Sequence, residues 1–356
     1  MTVISQWFQK VFSDPQAVIL AVLLALGFAV VLIFGDMLIP VIASLVIAYL
    51  LEGVVAMLER CKTPRLVSVM IVFSIFILFL LILLFGLLPL LSQQLTQLFQ
   101  ELPAMISSGQ DTLMLLPEKY PQYFTQEQVN EIMASLRQEV ASMGQNIVTF
   151  SLKSIPGLVT LVVYLILAPL LVFFLLKDKR QILDWLEAYM PRDRKLAENV
   201  WKEVDEQMAN YVRGKFWEML VVGVATYGVF EYMGLQYAVL LGVFVGLSVL
   251  VPYVGAAVVT IPVAVVAFSQ WGWTSEFFYL MIAYGIVQAL DGNVLVPLLF
   301  SEAVSIHPIA IIIAVLFFGG LWGVWGVFFA IPLAALVKAV LTAWPRASEE
   351  TVAESS

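Results

Sequence analysis

The chain lacks most of what soluble enzymes use for chemistry. It has one cysteine, Cys61, and one histidine, His307, in 356 residues. A disulfide framework and a thiolate or imidazole metal cage are therefore excluded. A single histidine also rules out a His-Glu-x-x-His zinc site. No Gly-Lys-Ser/Thr sequence occurs, so there is no P-loop and no ATP hydrolysis by this chain. A serine–histidine pair would need His307, which precedes Pro308 and has no serine in a nucleophile elbow. Leu290-Asp291-Gly292 lacks the second aspartate that an intramembrane aspartyl protease requires. No enzyme activity, cofactor, metal or nucleic-acid partner is expected.

Charge is the other scarcity. Only 12% of residues are charged and 62% are hydrophobic, with a mean hydropathy of +0.96. Soluble chains are about 25% charged and about 45–50% apolar. The composition therefore defines an all-α polytopic membrane protein. From Phe216 to Val337 there is no lysine or arginine, and the acids are Glu218, Glu231, Glu276, Asp291 and Glu302.

Hydropathy divides the chain into consecutive parts. Residues 1–15 end in Asp14-Pro15 and lead into a full-length apolar segment, so no cleavable leader is expected. Residues 1–91 read as spans 1–3, namely 16–34, 37–58 and 66–91, with a short turn at Asp36. The loop 59–65 carries Arg60, Lys62 and Arg65 and is expected in the cytoplasm, which puts the N-terminus there too. Residues 92–154 are amphipathic, with breaks expected at Pro103, Pro117 and Pro121. Leu95, Leu98, Leu102 and Ile106 recur at helical spacing, as do Val129, Ile132 and Leu136. This region reads either as short helices in the outer interface or as a solvated domain packed on the membrane core.

Residues 155–176 form span 4, with a kink expected at Pro169. Residues 177–215 mix nine basic and eight acidic residues and read as cytoplasmic surface helices divided at Pro191. Arg213 and Lys215 are expected at the lipid surface, and Glu218 in a local helix pair with Lys215. Residues 216–343 form the C-terminal membrane domain, followed by a polar tail, 344–356. Its apolar blocks are 216–233, 236–269, 277–299 and 309–343. Counted singly they bring the total to about eight hydrophobic segments, with both termini cytoplasmic.

Two blocks are long and broken by glycine and proline. The first breaks at Pro252-Tyr253-Val254-Gly255 and the second across Gly319, Gly320, Gly323 and Gly326. After each break the sequences are alike. Gly255 leads to Ile261-Pro262-Val263-Ala264, and Gly326 leads to Ile331-Pro332-Leu333-Ala334. This is either a repeat or a chance likeness of apolar sequence. Each block either crosses once or folds as a re-entrant hairpin; re-entrant hairpins would reduce the count to six crossings. Gly242-x-x-x-Gly246 and Gly319-x-x-x-Gly323 suit close helix packing, and Trp322 and Trp325 read as packing or interfacial aromatics.

The candidate site lies between these blocks. Gln288, Asp291, Asn293 and Pro297 put a carboxylate, two amides and a helix breaker into an uncharged apolar run, followed by Glu302 and His307. An ionisable residue within a span is costly and marks a function. Asp291 can gain and lose a proton or Na⁺, while Pro297 is expected to free the Asn293 carbonyl. The alternative is that Asp291 pairs with Gln288 or Asn293, or caps a helix at a subunit contact. Glu302 and His307 form a gate or a plain interfacial loop.

These motifs, taken with Val251-Pro252-Tyr253-Val254-Gly255, His307-Pro308 and Ile331-Pro332-Leu333, resemble the autoinducer-2 exporter family, the PerM-like permeases. The resemblance implies a multi-pass inner-membrane protein of about eight spans and a homo-oligomer, with a pentamer as its expected form. It implies secondary export of a small polar metabolite such as autoinducer-2. Some relatives are linked instead to Na⁺/H⁺ exchange. A third reading, an oligomeric membrane scaffold without transport, stays open.

Overall fold

Apolar sequence with few helix-breaking clusters makes long helices, and the chain folds accordingly. In the computed structural model, residues 15–114, 155–189, 195–252, 254–300 and 306–343 are described, with isolated positions between 125 and 138. The helices are α1 (Pro15–Arg60), α2 (Arg65–Ile82), α3 (Leu88–Leu113), α4 (Ile155–Lys177), α5 (Lys179–Ala188) and α6 (Lys195–Tyr232). They continue with α7 (Ala238–Ser248), α8 (Val254–Trp271), α9 (Ser275–Leu290), α10 (Val296–Phe300) and α11 (Pro308–Ala343). Short π-helical turns join α2 to α3 (Leu83–Leu87) and α9 to α10 (Asp291–Leu295). No strand occurs among the described residues.

Six helical segments among the described residues are long and apolar enough to cross a bilayer: Val18–Gly35, Met37–Arg60, Arg65–Ser107, Val254–Trp271, Ser275–Phe300 and Pro308–Thr342. That number differs from the about eight segments expected. α4 (Ile155–Lys177) is a further apolar helix of 23 residues, and it runs through Pro169. Residues 216–233 are the end of α6, which begins in charged sequence.

The described chain divides into two compact units. The first comprises Met1–Val72, Leu167–Gly214 and Phe300–Ser356. Here α1 cannot be a straight rod. Gln16 Oε1 accepts the Leu196 N–H at 3.2 Å, and Tyr49 donates to Asp205. A straight helix would hold Gln16 and Tyr49 about 50 Å apart, whereas Leu196 and Asp205 are about 14 Å apart along α6. So α1 doubles back, giving two antiparallel arms. Leu20, Val200 and Ala339 form one buried cluster, and Ser44 Oγ ties the second arm to the Ala168 carbonyl at 3.1 Å. Tyr211 is buried and donates to the Phe328 carbonyl at 2.8 Å. α11 is itself a hairpin. It runs through Gly319 and Gly320 and reverses at Gly323, whose φ of 58° suits glycine. Trp322 stacks on Phe318 and meets Phe28 edge-on.

The second unit comprises Phe73–Ile166 and Lys215–Leu299. Its core gathers Val222 and Phe230 of α6, Leu240, Leu241 and Val245 of α7, Val263 and Val266 of α8, and Leu280 and Tyr284 of α9. α3 packs across them through Leu91, Leu95, Leu98, Leu102 and Met105. The leucines seen at helical spacing thus cover this core. They belong to one helix that runs through Pro103, so the expected break there is corrected. A proline in a helix forfeits one hydrogen bond, and the packing of this face outweighs that cost. Gln94 of α3 accepts the Leu240 N–H at 2.9 Å, capping α7. Val129, Ile132, Leu136, Pro117 and Pro121 lie outside the described residues.

Three glycines bring α6 and α7 together. A Cβ at Gly246 would lie 2.8 Å from the Met219 carbonyl oxygen and 3.0 Å from Gly223 Cα, and one at Gly242 would lie 2.8 Å from Tyr227 Cβ. The Gly242-x-x-x-Gly246 motif therefore packs within the chain. α7 and α8 form the second hairpin. Here a Cβ at Gly255 would lie 1.8 Å from the Ser248 oxygen. The aligned Gly326 has the same relation to its own hairpin, 1.8 Å from the Phe318 oxygen. Equivalent contacts at aligned glycines support the repeat over a chance likeness, and both broken blocks fold as hairpins.

Gly255→Ala should therefore cost about 1–3 kcal/mol, because main chain must move. Gly285→Ala, where a Cβ meets nothing within 4 Å, should be neutral or stabilising by up to about 1 kcal/mol. Thermal unfolding of the two variants in detergent, side by side with the parent, checks both.

Candidate functional site

The Asp291 stretch shows why a proline does not break the helix there. In an α-helix the Pro297 ring would press on the Asn293 carbonyl. The chain instead inserts one π-turn, closed by the Val296 N–H on the Asp291 carbonyl, and the helix continues through Pro297 to Phe300. Such turns carry an extra residue and are frequent at functional sites. Gly292, a weak helix former, and Asn293, whose Nδ2 donates to the Ala289 carbonyl at 2.8 Å, lie within the turn.

Gln288 and Asn293 do not pair with Asp291. Gln288 Nε2 donates to the Tyr284 hydroxyl at 2.6 Å. That hydroxyl meets Thr260 Oγ1 at 3.1 Å, and Thr260 donates to the Ala256 carbonyl at 2.7 Å. Since Thr260 spends its proton on Ala256, Tyr284 donates to Thr260, and the ladder has one direction. Asp291 Oδ1, by contrast, is buried without a hydrogen-bond partner among the described residues. A buried carboxylate oxygen left unbonded is costly.

The charges facing Asp291 are Lys215 and Glu218, both on α6 and both within electrostatic range of it. Lys215 is not at the lipid surface, as its place at the end of the charged segment suggested. It is 6% exposed and Glu218 is 2% exposed. Lys215 Nζ lies 2.8 Å from Glu218 Oε2 and donates to the Val249 carbonyl at 2.7 Å. It meets the end of α7, where helix carbonyls lack partners and the dipole favours a cation. Lys215 thus joins three elements: its own helix through Glu218, the α7–α8 turn through Val249, and the Asp291 turn through charge. Two turns beyond Glu218 on α6, Thr226 is fully buried, and its hydroxyl has no hydrogen-bond partner among the described residues.

The remaining candidates separate. Pro252 and Gly255 lie in the α7–α8 turn, where the Gly255 N–H donates to the Val251 carbonyl at 2.9 Å. Gly319, Gly320 and Gly323 lie at the tip of the α11 hairpin. His307 is exposed and its Nδ1 accepts the Ile309 N–H at 3.3 Å, at the start of α11. Tyr253 and Glu302 lie outside the described residues. Among the described residues no group of three or more His, Cys, Asp or Glu side chains could hold a metal ion. An open apolar groove of about 540 Å³ between α6 and α9, flanked by Tyr232 and Tyr279, carries no charge.

Helices of this length and apolarity, enclosing a cluster of charge, define a polytopic α-helical membrane protein. The chain belongs to the AI-2E transporter family, whose model matches residues 4–346. It is 47% identical to a protein of Escherichia coli K12 named as a permease, PerM, over 97% of this chain and 98% of that one. It is 28% identical to YueF of Bacillus subtilis 168, named as a transport protein, over 84% of this chain and 82% of that one. A second Bacillus subtilis protein so named, YrrI, is 27% identical over 87% of each chain.

Lys215→Met should leave Glu218 buried and unpaired and the Val249 carbonyl unbonded, destabilising the fold by about 3–5 kcal/mol. Lys215→Met combined with Glu218→Leu should recover the part of that loss that comes from the unpaired Glu218 carboxylate. The comparison is made by unfolding midpoints in detergent.

Proposed function

We propose that this protein is a secondary transporter of the cytoplasmic membrane that moves a small polar metabolite and is driven by H⁺ or Na⁺ at Asp291. The observation that carries this reading is the buried, unbonded Asp291 Oδ1 beside a buried Lys215–Glu218 pair. With all three groups ionised, the cluster holds one more negative than positive charge. A proton or a monovalent cation at Asp291 balances it.

The exchange works through Lys215. With Asp291 neutralised, the ammonium stays on Glu218 and the Val249 carbonyl and holds the α7–α8 turn. With Asp291 bare, the ammonium is drawn toward it, and the hold on Val249 weakens. Occupancy of one carboxylate then biases a hairpin that can open or close a path. The solute class follows the family resemblance to autoinducer-2 exporters, and assembly as a homo-oligomer, expected to be a pentamer, belongs to the same reading. The net negative charge equally favours a second reading, cation/proton exchange without a metabolite.

Purified protein in liposomes with an internal pH dye and an imposed pH gradient tests both. Autoinducer-2 uptake that rises with the gradient supports the first reading. Gradient collapse on adding Na⁺ alone supports the second. In either case Asp291→Asn should slow the response at least about tenfold, about 1.4 kcal/mol. Unchanged activity in Asp291→Asn overturns the role of Asp291, and inactivity of the parent in every arm favours a scaffold.

A further inference from the structure

A second charged region lies in the first unit. Two short connections meet there. Arg65, which opens α2, donates to the Leu176 carbonyl at the end of α4 at 2.6 Å and pairs with Glu52 at 3.2 Å. Lys179, the first residue of α5, pairs with the same Glu52 at 3.1 Å. The α1–α2 connection and the α4–α5 connection are thereby fastened side by side. Together they present Arg60, Lys62, Lys177, Lys179 and Arg180 as exposed residues. Glu52, Glu59 and Asp178 take up Arg65, Lys177 and Lys179. Arg60, Lys62 and Arg180 form no ion pair with a described residue, so the patch is left cationic.

α5 grows out of this patch. It does not continue α4, because Asp178 has non-helical angles (φ −102°, ψ 17°). Its ten residues and the following Tyr189 are two-faced. Ile182, Trp185, Leu186 and Tyr189 fall on one side at helical spacing, and Arg180, Asp184 and Glu187 on the other. The apolar side is largely exposed: Trp185 is 60% and Tyr189 is 77% exposed, and the two rings meet edge to face at 5.1 Å. A run of exposed apolar side chains is unfavourable in water. Tryptophan and tyrosine favour the lipid headgroup boundary. Chain connectivity supplies the location. Lys177 ends an apolar helix, so α5, starting two residues later, lies at a membrane surface.

We propose that α5 and the two fastened connections form a docking surface for anionic phospholipid. The apolar face of α5 rests in the headgroup boundary with its axis along the bilayer, and Arg60, Lys62, Lys177 and Arg180 meet headgroup phosphates. Charge complementarity selects an anionic lipid surface over a second copy of this cationic patch. Glu52 is the joint: it holds Arg65 and Lys179 and so fixes the spacing of the basic groups.

The single cysteine makes the test direct. Cys61→Ser gives a cysteine-free chain, into which Leu186→Cys or Asp184→Cys is placed and spin-labelled, both at exposed positions. The full chain is studied in nanodiscs of phosphatidylcholine with phosphatidylglycerol. The label at 186 should be more accessible to oxygen than to an aqueous nickel chelate, and the label at 184 the reverse. Equal nickel access at both sites overturns the proposal, and so does spin–spin broadening between copies as the source of shielding at 186. Phosphatidylglycerol retained in native mass spectra should fall about fivefold for each of Lys62→Gln, Lys177→Gln and Arg180→Gln, from roughly 1 kcal/mol per basic residue near an anionic surface. Retention unchanged in all three also overturns it.

Discussion

An ammonium group enclosed by apolar helices must be met by oxygen, and the inner half of α6 is arranged around that requirement. Lys215 finds a carboxylate one turn along its own helix and a carbonyl at the end of α7. Without the second contact, α7 would end on unpaired carbonyls in an apolar setting. Without the first, the ammonium would be too costly to bury. The glycine contacts of α6 with α7 bring Val249 to Lys215, and the charge in turn holds the hairpin those contacts begin. Packing and electrostatics depend on each other here.

The two hairpins carry the most information about how the fold is assembled. Each contains a glycine whose missing Cβ lets the main chain of the returning arm lie on a carbonyl seven or eight residues earlier, Ser248 for Gly255 and Phe318 for Gly326. Each has an Ile-Pro pair downstream of that glycine. The shared device explains why two weakly similar apolar segments fold alike. Broken segments at corresponding positions are a recurring plan among secondary transporters.

Much of this was legible in the residues. Membrane class followed from charge and hydropathy, and the leucines from 95 to 102 declared an amphipathic helix face. The tendency of Gly255 and Gly326 to mark breaks was visible as well. What escaped has physical causes. Lys215 stands at the end of a charged segment and so reads as a surface residue; its partner is a carbonyl 34 positions later, and carbonyls leave no trace in sequence. The direction of the Gln288–Tyr284–Thr260 ladder needs two helices in register. Pro103 and Pro297 read as breaks because a proline's local cost is visible, while the packing or π-turn that absorbs it is not. The missing signal for Lys215 was its rank as the last basic residue before a stretch of more than a hundred without one.

The doubling back of α1 bears on how the protein enters the membrane. Its two arms share a connection with no room for a hydrophilic loop, so they insert as one unit. Between Lys10 and Arg60 there is no basic residue, whereas Arg60, Lys62 and Arg65 crowd the far end of the second arm. Basic residues near a span decide which side it faces. The orientation of the first hairpin is therefore written entirely at its open end. A lysine gained near the bend would set two ends in competition during biosynthesis and yield chains of mixed topology.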